Sequence, residues 1–323
     1  MTAARAGATA PGYVALEGGQ ARVEVVPAQG GRVRALRLGG REWLLAGAPT
    51  DAPDAAHPPL GGYGWDECAP AAGAGAMPEW VKGHGGRTVP AGGEARLQVP
   101  QVELRTRPEG HALTCTWRGD RLPWTLVRTL LVRPDGVVEA RYEATNTGAQ
   151  RLPFLWSALF LLPLDARTRV SFPEAARLRV QAVTGAKGAV QGTGGALQWP
   201  RVAIDGRARD LSRPWQLPRG TCVTGWVDLA GARATVQVQQ DGATLTIGTD
   251  GDGVPQCGIV ADRAGTRDGA TRGLLSRRLP PALALRPSLG APDTLAEALG
   301  DWQAVTWLAP GEPRRWTLTL RAS

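Results

Sequence analysis

Residues 126–145 read LVRTLLVRPDGVVEARYEAT, and this stretch decides the class of fold. From 138 to 144 every second residue is apolar, and the residues between them are charged. A period of two places the apolar side chains on one face of a β-strand. The turn residues Pro-Asp-Gly at 134–136 interrupt the pattern. They predict a hairpin that joins Leu126–Arg133 to Val137–Thr145.

The same alternation recurs from one end of the chain to the other. Asp241-Gly242 separates Ala234–Gln239 from Ala243–Gly248 and predicts a second hairpin. The last strand is expected at 316–320, where apolar residues alternate with threonines. One face of each of these strands is therefore expected to pack into a core.

Only one helix is convincing from the sequence. It spans Leu295–Leu299, with Thr294 and Glu297 at the spacing of a capping box and Gly300 at its end. Because no long helical pattern alternates with the strands, the sequence argues against a parallel α/β sheet. It favours an all-β protein in which antiparallel sheets stack as a sandwich.

The domain organisation is expected to be simple. No shift in composition, repeat or linker divides the strands into two groups, so we expect one domain over residues 1–323. Residues 1–12 are expected to form a flexible tail, and Ala46–His57 and Arg263–Pro281 to form irregular surface loops. The tail lacks an apolar core of about 7–15 residues and is no secretory signal, so we expect a cytoplasmic location.

Charge and hydropathy argue against two classes of partner. The net charge is +8, but 35 of the 37 basic residues are arginines scattered along the chain. No basic helix or aromatic-rich motif accompanies them, so we expect no nucleic-acid partner. The longest apolar run, Leu152 to Leu164, is shorter than the ~20 residues that span a bilayer. It predicts a buried strand, and we expect no membrane partner.

The cysteines indicate neither a metal site nor a redox site. Cys68, Cys115, Cys222 and Cys257 are far apart and form no CxxC pair. Free, buried thiols are expected, as is usual in a reducing compartment. The sequence also lacks a Gly-rich phosphate loop and a G-x-S-x-G motif, so we expect no cofactor, no metal and no hydrolase triad.

Four motifs that follow one another along the chain carry a family resemblance. They are Val23–Leu38, with Pro-x-x-Gly-Gly at 27–31; Gly64–Pro70, with His-Gly-Gly at 84–86; Trp124–Trp156; and Leu285–Leu320. Together they resemble the aldose 1-epimerase family, the galactose mutarotase-like proteins, of which this chain is identified as a divergent member. The resemblance implies an all-β fold, the galactose mutarotase-like β-supersandwich of stacked antiparallel sheets.

The resemblance also implies a chemistry whose expected residues are missing. Members of the family interconvert the anomers of a free sugar, which takes a paired acid and base. The acid, a histidine, is expected three residues after Trp156, where this chain has Leu159; the base, a glutamate, is expected where it has Arg286. Leucine has no exchangeable proton and arginine no acceptor. We therefore expect a carbohydrate-binding protein that has lost the usual acid–base pair.

An active epimerase with a relocated acid and base is the alternative. His84 lies at the family's sugar-binding motif and would act as the acid, with Glu67 as the base and a free or anionic hexose as substrate. Against this, Asp66 and Glu67 could equally cap turn amides or pair with an arginine. A third possibility is a structural or interaction protein whose pocket is filled by Leu159 and Phe160.

The tryptophans divide into two groups. Trp65, Trp80 and Trp156 lie on the motif segments, and indole rings stack on the apolar faces of sugars. Those at 117, 124, 226 and 316 follow strand patterns and are expected in the core. The residues expected to bind the sugar are Trp65, Asp66, His84, Trp156 and Arg286.

Arg286 itself has two interpretations. As a binding residue, its guanidinium would hold the carboxylate or phosphate of an anionic sugar in a bidentate way. As a structural residue, it would pair with Asp66, Glu67 or Glu79 and close the pocket. The expected partner is thus a small-molecule sugar, with an anionic sugar as one option.

Overall fold

A computed structural model describes residues 12–46, 63–185, 195–229, 233–251, 253–263 and 280–323. Strands dominate it, and two antiparallel sheets carry most of the described chain. The predicted tail before residue 12 lies outside the described residues, as do residues 47–57 and 264–279 of the two predicted loops.

The described elements are 26 strands, two short α-helices and two single 3-10 turns. In chain order the strands are β1 (Val14–Gly18), β2 (Ala21–Val26), β3 (Arg32–Leu38), β4 (Arg41–Glu42), β5 (Trp65–Cys68), β6 (Gly75–Ala76), β7 (Thr88–Val89), β8 (Gln101–Arg107), β9 (Gly110–Arg118), β10 (Trp124–Val132), β11 (Val138–Asn146), β12 (Leu152–Phe154), β13 (Ser157–Pro163), β14 (Arg169–Ser171), β15 (Arg177–Thr184), β16 (Leu197–Gln198), β17 (Arg201–Ile204), β18 (Arg207–Asp210), β19 (Cys222–Asp228), β20 (Ala234–Gln240), β21 (Ala243–Gly251), β22 (Gln256–Asp262), β23 (Ala282–Ser288), β24 (Gly290–Ala291), β25 (Ala304–Leu308) and β26 (Pro313–Ala322). The helices are α1 (Gly93–Leu97) and α2 (Leu295–Leu299), and the 3-10 turns are Pro27–Gln29 and Pro214–Gln216.

Two large sheets stack on each other. The eleven-stranded sheet has the order β1-β2-β3-β5-β13-β23-β22-β19-β15-β16, with β4 attached to β3. The eight-stranded sheet has the order β14-β20-β21-β26-β11-β10-β9-β8. Three small sheets, β12-β25-β24, β17-β18 and β6-β7, accompany them. The all-β, stacked antiparallel architecture predicted from the sequence is confirmed.

The core lies between the two large sheets and draws side chains from both. On β11 the predicted alternation holds, because the apolar residues from 138 to 144 are all buried. Seven tryptophans are among the largest fully buried side chains: Trp43, Trp65, Trp117, Trp124, Trp156, Trp226 and Trp316. Of the four tryptophans expected in the core, Trp117, Trp124 and Trp316 are there; Trp226 is buried but lies outside the core cluster.

Both predicted hairpins and the predicted helix are confirmed. Strands β10 and β11 pair from Val132 opposite Val138, and β20 and β21 pair across Asp241-Gly242. These two turn residues both have positive φ, 48° and 83°, as a two-residue turn matched to the twist of a hairpin requires. At the start of α2, the backbone N–H of Glu297 donates to Thr294 Oγ1 at 3.2 Å.

The prediction of one buried strand from Leu152 to Leu164 is wrong in one respect. The run forms two strands in different sheets, because β12 pairs with β25 whereas β13 pairs with β5 and β23. Between them, Leu155 N–H donates to Pro70 O, and Trp156 O accepts from Leu289 N–H. An apolar run shows that a segment is buried but not where it changes sheet. Helix α1 was also missed, since five residues are too few to show a helical period.

The Pro-x-x-Gly-Gly motif has a direct structural reason. Pro27 begins a 3-10 turn, and Gly30 and Gly31 follow it, both at φ 72°. A Cβ atom on Gly31 would lie 2.7 Å from Cζ2 of the buried Trp117. The chain can therefore pass from β2 to β3 at this point only if the residue has no side chain.

We expect Gly31→Ala to destabilise the fold more than Gly40→Ala. Both glycines have positive φ, so each alanine carries the left-handed backbone cost of about 1–2 kcal/mol. Only Gly31 adds a clash with the buried ring, since nothing lies within 4 Å of a Cβ on Gly40. Overpacking costs a further ~1–3 kcal/mol. Urea unfolding of both variants measures the difference, and equal losses would contradict the close approach at Gly31.

Candidate functional site

Strand β5 carries three of the residues singled out in the sequence. It lies between β3 and β13, and all four of its residues are buried. Because neighbouring side chains on a strand point to opposite faces, Trp65 and Glu67 share one face and Asp66 lies on the other. Trp65 and Glu67 point into the core between the sheets, where they meet Phe160, Arg128 and Tyr142.

Glu67 is held by donors from three directions. Its Oε1 accepts from Arg128 Nη1 at 2.9 Å and from the Tyr142 hydroxyl at 3.0 Å. Its Oε2 accepts from Trp156 Nε1 at 2.8 Å. Arg128 is fully buried and donates from Nη2 to Gly31 O at 2.6 Å. The carboxylate and its counter-charge thus form a closed network inside the core.

This environment suits an ion pair better than a proton acceptor. Burial raises the pKa of Glu67, and the charge and hydrogen bonds of Arg128 oppose that rise. Arg128 and Trp156 can only donate, so the ionised carboxylate is the form that satisfies its partners. Burial also raises the pKa of Tyr142 well above its ordinary value, which keeps that hydroxyl protonated. To act as a base, Glu67 would have to release these donors.

Trp65 and Trp156 have the contacts of core residues. Trp65 stacks on Phe160 with a centroid distance of 4.5 Å. Trp156 packs against Tyr142 at 4.6 Å and Trp316 at 4.8 Å. Both rings are 0 % exposed. Their contact with a sugar stays a prediction, and it would require the core to open.

Asp66 is paired with two arginines on the opposite face of β5. Arg32 donates to it in a bidentate way, at 2.6 Å from Nε and 3.0 Å from Nη2. Arg96 of α1 adds Nε at 3.0 Å from Oδ2. All three side chains are buried, so one carboxylate is shared between two guanidinium groups. Pairing with arginine is one of the two structural roles that the sequence predicts for this residue.

The eleven-stranded sheet has one partly exposed face, which we call the open face. Directly opposite residues of antiparallel strands lie on the same face. Asp66 is opposite Leu159, Arg286 is opposite Gly258, and Gly258 is opposite Trp226. On β13 and β23, Ser157 is opposite Ser288 and Phe160 is opposite Leu285, and this register places Leu159 opposite Arg286. The row across the open face is therefore Asp66, Leu159, Arg286, Gly258, Trp226 and, from β15, Arg179.

Solvent reaches the open face but not the face behind it. Leu159, Thr224 and Val260 on the open face are partly exposed. On the core face, Phe160, Ile259 and their neighbours are 0 % exposed. The two residues that stand where the family's acid and base are expected thus lie side by side on the open face, where Leu159 is partly exposed and Arg286 is buried.

Arg286 lies over the ring of Trp226, with its guanidinium carbon 4.7 Å from the ring centroid. Gly258 permits this, because a Cβ there would lie 3.1 Å from the indole and 3.2 Å from Cβ of Arg286. Arg286 Nη1 pairs with Asp293 Oδ1 at 2.5 Å. Nε and Nη2 are buried and have no hydrogen-bond partner among the described residues. Its acidic partner is thus Asp293, not one of the three considered from the sequence.

Several residues of the open face were not found from the sequence. Trp226 Nε1 donates to Gln181 Oε1 at 2.8 Å. Arg179 lies over Trp302 at 4.0 Å and donates from Nη2 to Asp301 O at 3.1 Å. Trp302, Gln181 and Arg179 are partly exposed. Alternation along β15 and β19 indicates that two faces exist but not which face is open.

His84 lies on the segment between β6 and β7, whereas both carboxylates lie on β5. It is 4 % exposed, and the groups that act on it are the charge of Arg87 and the backbone of Gln150 and Arg151. Burial lowers its pKa, and Arg87 lowers it further. An imidazole with a lowered pKa is largely neutral at neutral pH. On the same segment, Trp80 is 66 % exposed.

The predicted site residues therefore occupy three places. Trp65, Glu67 and Trp156 lie in one core network, Asp66 and Arg286 lie on the open face, and His84 lies on a separate segment. No described hydrogen bond or ion pair joins His84 to Glu67. Their pairing as acid and base stays a prediction.

Other chemistry finds little support among the described residues. The four cysteines are free, and burial raises the pKa of Cys68 to about 11, so that thiol is protonated. In the part of the chain that the structure describes, no cluster of three His, Cys, Asp or Glu side chains is arranged to hold a metal ion. No described helix has the length and apolar character needed to cross a membrane.

Comparison with known proteins gives a result at the level of the fold. No protein-family model and no curated protein matches the sequence. A putative aldose 1-epimerase from Escherichia coli K12 superposes with a TM-score of 0.62 at 18 % identity, covering 96 % of this chain and 98 % of that one. A GalM/aldose epimerase homologue from C. elegans gives 0.64 at 14 % identity, covering 97 % and 99 %. This chain has the galactose mutarotase-like fold.

A third galactose mutarotase-like structure agrees with the first two. It is a galactose mutarotase related enzyme from Lactobacillus acidophilus, with a TM-score of 0.62, 13 % identity, and coverage of 96 % of this chain and 97 % of that one. The predicted fold resemblance is confirmed, and the low identities agree with a divergent sequence. The three matches thus cover 96 % or 97 % of this chain.

We expect Glu67→Gln to destabilise the protein by about 3–5 kcal/mol, because it leaves the buried charge of Arg128 without its counter-charge. The matched control is Glu143→Gln, which removes an exposed pair with Arg315. Exposed pairs contribute about 0–1 kcal/mol. Denaturant unfolding measures both, and a loss at Glu67 as small as at Glu143 would contradict the network.

We expect His84 to make the protein less stable below neutral pH. Its folded pKa is lowered, so the unfolded chain binds the proton more readily. The resulting loss in the free energy of unfolding is absent well above the ordinary histidine pKa of about 6.5, and it grows as the pH falls through that value. Unfolding free energies of the wild type and His84→Gln at pH 7.5 and 5.5 measure it. A constant difference between the two proteins would contradict the lowered pKa.

Proposed function

We propose that this chain is a carbohydrate-binding protein of the galactose mutarotase-like superfamily that has lost the usual acid–base pair. One observation carries the proposal. Leu159 and Arg286, which stand at the positions expected for acid and base, are neighbours on the open face of the sheet. Neither side chain transfers a proton at neutral pH, so the face is suited to binding without anomer exchange.

The chemistry of the open face supports a sugar as ligand. Trp302 offers a partly exposed ring for the apolar face of a pyranose. Gln181 and Thr224 offer groups that exchange hydrogen bonds with hydroxyls. The solved structures of the same fold include proteins described as aldose 1-epimerase or galactose mutarotase related, which favours the same ligand class here.

The charge of the open face favours an anionic sugar. Arg286 keeps two buried donors without a partner, and Arg179 adds a second guanidinium on the same face. Asp293 neutralises part of this charge. A carboxylate or phosphate fits a guanidinium fork in a bidentate way, so a sugar acid or sugar phosphate that reached Arg286 would satisfy both unpartnered nitrogens, which are buried in the free protein. The free thiols agree with a cytoplasmic location.

The alternative is an epimerase that uses His84 as acid and Glu67 as base. The direction of the Glu67 pKa shift favours it, because a raised carboxyl pKa suits a general base. It requires Glu67 to exchange its three donors for substrate, and His84 to reach the same sugar.

We expect ligand-dependent NMR line broadening without anomer exchange. The ligands are glucose, galactose, glucose 6-phosphate and glucuronate, each recorded with protein and with buffer alone. Arg286→Gln should abolish broadening for the two anionic sugars, because it removes the charge but keeps amide hydrogen bonding. Arg141→Gln is the control, since Arg141 is an exposed arginine paired with Glu139 on the other sheet.

Two outcomes would decide against the proposal. Exchange faster than the buffer blank, lost in His84→Ala, would establish the relocated epimerase instead. Neither broadening nor exchange with any of the four sugars would favour a structural or interaction protein.

A further inference from the structure

The free edge of the eight-stranded sheet is unusually open. Strand β8 ends that sheet, and among the described residues it pairs only with β9. Six of its seven residues are exposed. At the other end of the sheet, β14 has three residues. The long edge is therefore the one that can pair with another strand.

Exposed apolar side chains concentrate at this edge. Of the six large apolar side chains exposed among the described residues, four lie between 97 and 104: Leu97, Val99, Val102 and Leu104. Val102 and Leu104 stand opposite Cys115 and Leu113, which are buried in the core. The apolar side of β8 thus continues the core face of the sheet beyond the point where the second sheet covers it.

Several of the usual protections of an edge strand are missing from β8. Edge strands are normally prevented from pairing with another chain by proline, charged side chains (lysine above all), a bulge or short length. The segment QVELRTR contains no proline and no lysine, and its register with β9 runs without a shift. Its charges are Glu103, Arg105 and Arg107, of which the first two pair along the strand at 2.6 Å.

The backbone groups that face outward can be identified. Arg107 and Gly110 are opposite each other across a loop of two residues, so this pair must exchange its hydrogen bonds directly. Hydrogen-bonded and non-hydrogen-bonded pairs alternate along an antiparallel ladder. The odd-numbered residues of β8 therefore bond to β9. The N–H and C=O groups of Val102, Leu104 and Thr106 point to the free edge.

We propose that β8 pairs with β8 of a second copy of this chain, antiparallel, around a twofold axis at Leu104. In this register Leu104 exchanges two hydrogen bonds with Leu104 of the partner subunit. Val102 does the same with Thr106 of the partner subunit. The two eight-stranded sheets join into one of sixteen strands, and the exposed apolar side chains of both copies become neighbours. This assembly is independent of any ligand on the open face.

Charge complementarity favours this register over the registers whose twofold axis lies one residue away. With the axis at Leu104, Glu103 lies opposite Arg105 of the partner subunit, and the reverse pair forms by symmetry. These are non-hydrogen-bonded pairs, whose side chains approach most closely. An axis at residue 103 would set two glutamates opposite each other, and an axis at 105 would set two arginines. Like charges directly opposite are destabilising.

The first test is the mass in solution over a dilution series, measured by light scattering after size exclusion. The wild type is expected at twice the chain mass of 34.0 kDa at high concentration. Glu103→Arg sets arginines opposite each other at both sites and should give a monomer. Adding Arg105→Glu restores opposite charges and should restore the dimer. Glu143→Arg, the same change in the middle of the sheet, should leave the dimer intact.

The second test is a disulfide across the axis. In Leu104→Cys the two introduced thiols belong to one directly opposite pair, with Cα atoms ~5.5 Å apart, which a disulfide spans. In Val102→Cys they are four residues apart along the ladder, roughly 13 Å, which a disulfide cannot span. Oxidation should therefore cross-link the first variant and not the second.

Circular dichroism and thermal unfolding confirm that each variant is folded before it is scored. A wild type that stays monomeric at every concentration would overturn the proposal. A folded variant that combines Glu103→Arg with Arg105→Glu and stays monomeric, while the wild type is a dimer, would also overturn it. Equal cross-linking of the cysteine variants at positions 102 and 104 would do the same.

Discussion

A buried ion pair between the two sheets is the constraint on which the rest of the structure depends. Glu67 of β5 belongs to the eleven-stranded sheet, whereas Arg128 of β10 and Tyr142 of β11 belong to the other. Burying two charges is costly unless geometry and hydrogen bonding are nearly complete. Here the donors come from separate strands, so any slip of one sheet across the other would leave a buried charge unsatisfied. The network therefore specifies how the two sheets stack.

The same constraint determines what the open face can do. Two carboxylates adjacent in sequence could supply acid–base chemistry, but Glu67 is bound to the core network and Asp66 to Arg32 and Arg96. What remains on the open face is the buried Arg286 beside the partly exposed Leu159, with Trp226 beneath the guanidinium. The face is therefore cationic and apolar at this point. Binding by charge and stacking is the chemistry that such a surface supports.

Strand β8, at the free edge of the eight-stranded sheet, is governed by unpaired backbone groups rather than by buried charge. A strand that bonds on one side only leaves its outward N–H and C=O groups to water or to another strand. On β8 the residues whose backbone N–H and C=O groups point outward include the two with exposed apolar side chains, Val102 and Leu104. A second strand would therefore satisfy these backbone groups and cover both side chains. On the other face of β8, Glu103 and Arg105 carry opposite charges, so the proposed pairing would set each of them opposite the other residue in the second copy.

The sequence by itself determined the class of fold, because period-two alternation, Pro-Asp-Gly and Asp-Gly turns and the capping box at Thr294 are local signals. That Leu159 and Arg286 replace the acid and base of the family's motifs stays a prediction from the sequence. Only the tertiary structure decided that Trp65 and Trp156 lie in the core, that Glu67 is paired with Arg128, and that Arg179 and Trp302 lie on the open face. The reason is physical. Alternation separates the two faces of a strand, but burial and charge pairing depend on which strands lie next to it and which sheet covers it.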